Sequence, residues 1–213
     1  VFANILTKVP PKKGTDIQQA LEQIKLLYPS CTDFQRDFPS IAFNIATGVG
    51  KTRLMGAMIS YLYMHYGVKN FFILAPNLTI YEKLIRDFSD TGYSKYVFRG
   101  IGEFVHNQPI VIHGDNYQQA VDLFSDTEIH INIFNISKFN SESSGKRGVP
   151  RIKRLSEYLG ESYWSYLSGL TDLVMFMDEA HRYHADASKQ ALNELQPALG
   201  VELTATPVDE KKL

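Results

Sequence analysis

Ile41-Ala42-Phe43-Asn44-Ile45-Ala46-Thr47-Gly48-Val49-Gly50-Lys51-Thr52 is the stretch on which the fold turns. Its first five residues have the length and apolar character of a short buried strand. Gly48 and Gly50 then interrupt the pattern. From Lys51 to Tyr66 the spacing becomes helical, with Leu54, Ala57, Met58, Tyr61 and Leu62 on one side and Gly67 placed to close the helix. A strand, a glycine-bearing turn and a helix, in that order, make an anion site. The glycines let the backbone curl so that successive N–H groups point inward at phosphate oxygens, and the helix adds its positive N-terminal end. Lys51 supplies a point charge for the β- and γ-phosphates, and the Thr52 hydroxyl is a ligand suited to Mg²⁺. Thr47, Gly48, Val49, Gly50, Lys51, Thr52 and Arg53 are therefore the candidate nucleotide-binding positions. The full phosphate-loop pattern has a glycine six places before the lysine, where this chain has Ile45, so a glycine-rich turn with an incidental Lys-Thr is the competing reading.

Outward from this stretch the sequence alternates between strand and helix. Phe71–Leu74 reads as a second strand and Thr79–Phe88 as a second helix, with Ile80, Leu84 and Phe88 in register and Thr79/Glu82 at capping-box spacing. Ile110–Ile112 is a third strand, and Ile129, Ile131 and Ile133 alternate along a fourth. Leu173–Met177 is a solid apolar run, as a central parallel strand should be. Asp186–Leu195 reads as a helix stopped by Pro197, and Val201–Thr204 as the last strand. The expectation is a doubly wound parallel sheet with helices on both faces and its ligand site beyond the carboxyl ends of the strands. Upstream, residues 1–14 read as a loose lead-in. One helix follows from Thr15, with Gln18 at capping-box spacing, ending before Pro29, so 1–30 is an expected extension and 31–213 the domain. Ser141–Pro150 reads as an exposed loop.

Asp178-Glu179-Ala180-His181 falls at the end of the most apolar strand, a costly place for two adjacent carboxylates. A metal and a water give them a reason: Asp178 as a Mg²⁺ ligand, Glu179 as the group that accepts a proton from, or orients, the water attacking the γ-phosphate. Lys51, Asp178 and Glu179 are the candidate catalytic residues, and Thr52 and Asp178 the candidate metal ligands. His181 is placed to hydrogen-bond toward the segment after the next strand. Taken alone, Asp178-Glu179 also reads as an N-capping pair at a helix start. His181 and His184 lack the spacing and third ligand of a zinc site.

Composition sets bounds. The 213 residues are 44% hydrophobic and 21% charged, which is globular rather than disordered. The net charge of −1 gives no global basic field, so any nucleic-acid contact must be local. Cys31, the single cysteine, excludes an internal disulfide and fits a reducing cytoplasm. No apolar run approaches the roughly 20 residues of a membrane span. The chain opens Val1-Phe2-Ala3 without an initiator Met or signal pattern, and the expectation is a piece of a longer protein.

Thr47-Gly48-Val49-Gly50-Lys51-Thr52 resembles motif I of superfamily 2 helicases, Asp178-Glu179-Ala180-His181 resembles motif II, the DEAH box, and Thr204-Ala205-Thr206-Pro207 resembles motif III. Their order resembles the first of the two RecA-like domains of that superfamily. Asp178–Ser188, Asn193–Pro197 and Leu203–Pro207 look more specifically like the Res subunit of type III restriction enzymes. The resemblance implies a RecA-like P-loop NTPase fold, binding of ATP with Mg²⁺, and hydrolysis coupled to movement on nucleic acid, double-stranded DNA in the type III case. It implies nucleic-acid backbone contacts from Pro76, Asn77 and Thr79 (motif Ia) and Asn135 (motif Ib), and coupling through His181, Thr204, Ala205 and Thr206. Gln35 would correspond to an adenine-reading glutamine, against the plainer reading of a solvated side chain. It further implies a second RecA-like domain carrying an arginine finger, which does not follow within the seven residues after Thr206, and a methyltransferase partner subunit. Without that domain, slow hydrolysis is expected of this chain alone.

Other features stay open between two readings. Lys146, Arg147, Arg151, Lys153 and Arg154 suit phosphate contacts or a solvated loop and helix face. Trp164 and nearby tyrosines suit base stacking or an apolar cluster. A P-loop phosphotransferase and a non-catalytic nucleic-acid scaffold remain the functional alternatives.

Overall fold

The computed structural model describes residues 1–46, 48–117, 128–135, 163–179 and 192–205. Six strands form one sheet: β1 (Ser40–Asn44), β2 (Asn70–Ala75), β3 (Ile110–His113), β4 (His130–Asn135), β5 (Val174–Asp178) and β6 (Leu199–Thr204), in the order β1-β6-β5-β2-β4-β3. Every neighbouring pair is parallel. From β1 to β3 the chain moves toward one edge, and from β3 to β6 it moves back. Right-handed crossovers then place the outgoing and returning connections on opposite faces. The core shows this division. On one face Met55, Ile59 and Leu62 of α3 (Lys51–Tyr66) and Leu84 and Phe88 of α4 (Leu78–Ser89) pack with Phe71, Ile73, Phe176 and Val201. On the other, Tyr163, Trp164 and Leu167 pack with Phe72, Leu74, Met175 and Met177. Trp164 thus belongs to the core, which decides against base stacking for it. The architecture is the expected doubly wound α/β fold.

Residues 1–14 differ from the expected loose lead-in, and the extension has two helices rather than one. α1 (Phe2–Lys8) precedes α2 (Ile17–Leu27). Phe2, Ile5, Leu6 and Val9 are spaced i, i+3, i+4 and i+7, so one stripe of α1 is apolar. Leu6 joins the main core, Phe2 packs edge-on against Phe43 and Tyr61, and Ile5 and Val9 meet Ala20 and Ile24 of α2. The caps also differ. α2 is capped by Asp16, whose carboxylate accepts from the Gln18 and Gln19 N–H groups, while Thr15 donates to the Lys12 carbonyl. α4 is capped by Asn77, whose side-chain oxygen accepts from Ile80 N–H at 2.9 Å, rather than by Thr79. Asn77→Ala should therefore lower stability by about 1 kcal/mol, read as a shift of the urea midpoint at constant slope, while Asn77→Asp should keep most of it.

β1 is not buried. It is the sheet edge, and Ala42 and Asn44 are exposed while Ile41 and Phe43 turn to the core. The buried stripe of α3 runs through Met55, Met58, Ile59 and Leu62, and Ala57 is exposed. α3 is apolar on nearly every side, so periodicity alone does not fix its orientation. Gly67 closes α3 as expected, at φ 66°, with Gly67 N–H bonded to the Tyr63 carbonyl. The shorter helices are α5 (Glu103–His106) and α6 (Tyr163–Gly169). The expected helix at Asp186–Leu195 and loop at Ser141–Pro150, and the basic cluster at 146–154, lie wholly or largely outside the described residues. Among the described residues no helix is long and apolar enough to cross a membrane.

Candidate nucleotide site

Because all six strands run the same way, their carboxyl ends share one rim. The chain leaves β1 at Asn44, β2 at Ala75, β4 at Asn135, β5 at Asp178 and β6 at Thr204. β6 lies between β1 and β5, and Ile45 N–H donates to the Thr204 carbonyl at 2.8 Å. The glycine loop after β1 and the acid pair after β5 are thereby held one strand apart.

The loop's geometry follows from its glycines. Gly48 and Gly50 take φ of 83° and 101°, a left-handed region costly to residues with a Cβ. A Cβ built at either position meets nothing within 4 Å, so backbone conformation rather than space is what requires glycine. Gly50 is the N-cap of α3, so the helix begins at Lys51 with its first N–H groups facing the rim.

Glu179 has φ of 53°, left-handed for a residue with a side chain. On a continuing strand two adjacent carboxylates would point to opposite faces. The reversal at Glu179 brings both to one cation. The Lys51 ammonium lies 3.5 Å from Asp178 Oδ1 and donates a hydrogen bond to Glu179 Oε1, joining residues 128 positions apart. Glu179 N–H donates to Asp178 Oδ1 at 3.1 Å. The Lys51 and Asp178 side chains are only 11% and 10% exposed. Burial pushes the Asp178 carboxyl above its usual range. Lys51 opposes that shift, and the neighbouring Glu179 charge adds to it. A further cation near Asp178 would therefore favour its charged form.

These groups line one cleft of about 710 Å³. Its lining includes Gly48, Gly50, Lys51, Thr52 and Arg53 from the loop and the start of α3, Asp178 and Glu179 from the end of β5, and Pro76, Asn77 and Ile80 from the turn after β2 and the start of α4. Lys83, Asp87, Lys95 and Val97 complete it and carry no signal that sequence reading singles out. Four basic and three acidic side chains make the cleft locally cationic although the whole chain is weakly anionic. The Thr52 hydroxyl and Asp178 carboxylate are hard oxygen donors of the kind Mg²⁺ takes.

Not every expected residue is in the cleft. Gln35 is exposed at φ 55°, its N–H bonded to Asp33, and is not among the lining residues. Val49 is 67% exposed beside it. Thr79 is exposed on the first turn of α4. Asn135 and Thr204 are buried at their strand ends, and Ala205 follows at the rim. Thr47, His181 and Thr206 lie outside the described residues. Burial and the Asp33 charge raise the Cys31 thiol, as suits an unreactive cysteine.

A doubly wound parallel sheet with a glycine loop and an acid pair meeting at one rim defines a RecA-like ATPase domain of the superfamily 2 helicase type. The family described as "Type III restriction enzyme, res subunit" matches residues 15–209, and the chain belongs to it. The Haemophilus influenzae protein described as "Probable type III restriction-modification enzyme HindVIP Res subunit" is 29% identical, over 75% of this chain and 29% of that protein. The chain thus spans under a third of the length of this curated relative. A solved structure, "Sulfolobus solfataricus SWI2/SNF2 ATPase core in complex with dsDNA", aligns over 82% of this chain and 29% of its own at 16% identity and a TM-score of 0.45.

Proposed function

We propose that the cleft binds ATP with Mg²⁺ and hydrolyses it, and that this domain drives translocation on double-stranded DNA as part of a type III restriction enzyme. The observation that carries the reading is the Lys51 ammonium placed between Asp178 and Glu179 at the mouth of the glycine loop. In this scheme the N–H groups at the start of α3 and the Lys51 ammonium hold the β- and γ-phosphates. Thr52 and Asp178 hold the metal. When bound, Mg²⁺ neutralises phosphate charge as it develops on the leaving oxygens. Lys51 would turn from the acid pair toward the phosphates, and Glu179, at the same rim, would accept the proton of the attacking water.

Pro76, Asn77, Thr79 and Asn135 are proposed to meet the nucleic-acid backbone. Asn77 suits this even while capping α4, because its oxygen serves the cap and its amide N–H groups are left to donate to phosphate. Thr204 and Ala205, beside both the loop strand and the acid strand, with His181 and Thr206 further along the chain, are proposed to couple nucleotide state to that grip. An arginine finger from a second RecA-like domain, and a methyltransferase partner subunit, complete the proposed assembly. Gln35, outside the cleft lining, is proposed to meet the adenine base, a solvated side chain being the plainer alternative. Calorimetric titration with a non-hydrolysable ATP analogue and Mg²⁺ should give one site per chain. Absence of binding up to millimolar nucleotide would remove the proposal.

A further inference from the structure

Lys83 lies on α4, away from the motifs, yet its ammonium donates to the Thr52 hydroxyl at 3.0 Å and to Asp87 Oδ2 at 2.6 Å. The two partners differ in kind. Asp87, one turn further along the helix, has a side chain only 3% exposed, and its Oδ1 is buried without a hydrogen-bond partner among the described residues. A buried carboxylate in that state holds its cation firmly and has room for a second donor. Lys83 is 40% exposed at its side chain and can re-aim along its long stem.

Thr52 is the hydroxyl assigned above to the metal, so this inference rests on the proposed ATP site. A divalent cation bonded to the Thr52 oxygen would stand within a few ångström of an ammonium donating to the same oxygen, and the two repel. We infer that Lys83 is a positioning residue of the nucleotide site, whose ammonium competes with the divalent cation for Thr52 and is driven wholly onto Asp87 when the metal binds. Lys83 fixes the rotamer of the metal ligand, and Asp87 is the post to which the ammonium retreats. The consequence reaches beyond the cleft. α4 begins at the Pro76-Asn77 loop, so the state of the metal ligand is transmitted to the helix that carries the proposed nucleic-acid contact.

The test is a Mg²⁺ titration of the binding of a fluorescent, non-hydrolysable ATP analogue, which reads affinity and not turnover. Lys83→Met should lower the Mg²⁺ concentration at half-saturation about five- to tenfold, the worth of one competing hydrogen bond. Lys83→Arg should restore the wild-type midpoint. Lys83→Met with Asp87→Asn should keep the lowered value. It also removes the unpaired buried acid, and so serves if the single variant does not fold. An unchanged midpoint in Lys83→Met overturns the inference. So does a midpoint that returns to wild type in the double variant, since the effect then came from the Asp87 charge. Weaker binding of the analogue in EDTA also overturns it, because Lys83 would then be a phosphate ligand. If the wild-type protein binds no nucleotide at any Mg²⁺ concentration, it is the ATP-site reading itself that fails, and this inference with it.

Discussion

Glu179→Gln is expected to keep nucleotide binding and lose hydrolysis, with the steady-state rate of the full-length protein falling about 10²- to 10⁴-fold, the range for removing a general base. The substitution keeps the side chain's shape and removes its charge. Glu179 is held by Lys51 and sits on a left-handed turn that a glutamine tolerates no better and no worse. The N–H groups proposed to face the phosphates and the proposed metal donors Thr52 and Asp178 are untouched, so the affinity for Mg²⁺-nucleotide should change little. Removing one negative charge beside Asp178 also removes one cause of its raised pKa, which favours metal binding. Single-turnover hydrolysis and equilibrium binding, measured on the same preparation, separate the two effects. A parallel loss of affinity and rate would make Glu179 a binding residue and not the base.

Lys51→Ala is expected to fail earlier, at binding. Removing one charge-assisted hydrogen bond from a partly buried site corresponds to roughly a 10- to 100-fold weaker affinity. The rate falls further because the same ammonium stabilises charge as the γ-phosphoryl departs. There is a second consequence. Asp178 and Glu179 lose their shared cation, and the already raised Asp178 pKa moves higher still. With the folded value above the unfolded one, the native state binds the proton more tightly. This part of the stability is therefore present at low pH and is lost as pH rises through the unfolded and then the folded pKa. Lys51→Ala should thus melt closer to the wild type in acid than at neutral pH, a trend that thermal melts across pH check directly.

The parts of the site legible in the sequence are those where one residue type answers one physical demand. Glycine at 48 and 50 answers a positive φ, and a pair of carboxylates ending an apolar strand needs a cation. The sheet is legible because β2 and β5 are nearly unbroken apolar runs, as strands buried on both faces are, and because isoleucines alternate along β4, whose His130, Asn132 and Asn135 are buried as well. The edge position of β1 is hidden, because its neighbour β6 arrives more than 150 residues later and only the pairing reveals which strand is last. α1 is written in the sequence as the helical stripe of Phe2, Ile5, Leu6 and Val9, but the Pro-Pro-Lys-Lys-Gly run that follows masks it. The caps are ambiguous because Ser, Thr, Asp and Asn are near-equivalent caps and adjacent candidates compete. Nothing in the sequence singles out Lys83 and Asp87. A Lys–Asp pair at i, i+4 is an ordinary surface feature, and only the packing of α4 beside α3 sets it against Thr52.

For the proposed chemistry to operate, the loop at 48–52 and the acids at 178–179 must grip one metal–triphosphate between them. Crystals grown with a non-hydrolysable ATP analogue and Mn²⁺ in place of Mg²⁺, with anomalous differences locating the metal, test this most directly. The expected result is a single metal peak contacting both Thr52 Oγ1 and the Asp178 carboxylate, with the Lys51 ammonium on the phosphates and off Glu179. A nucleotide bound elsewhere, or a metal peak away from Asp178, would contradict it.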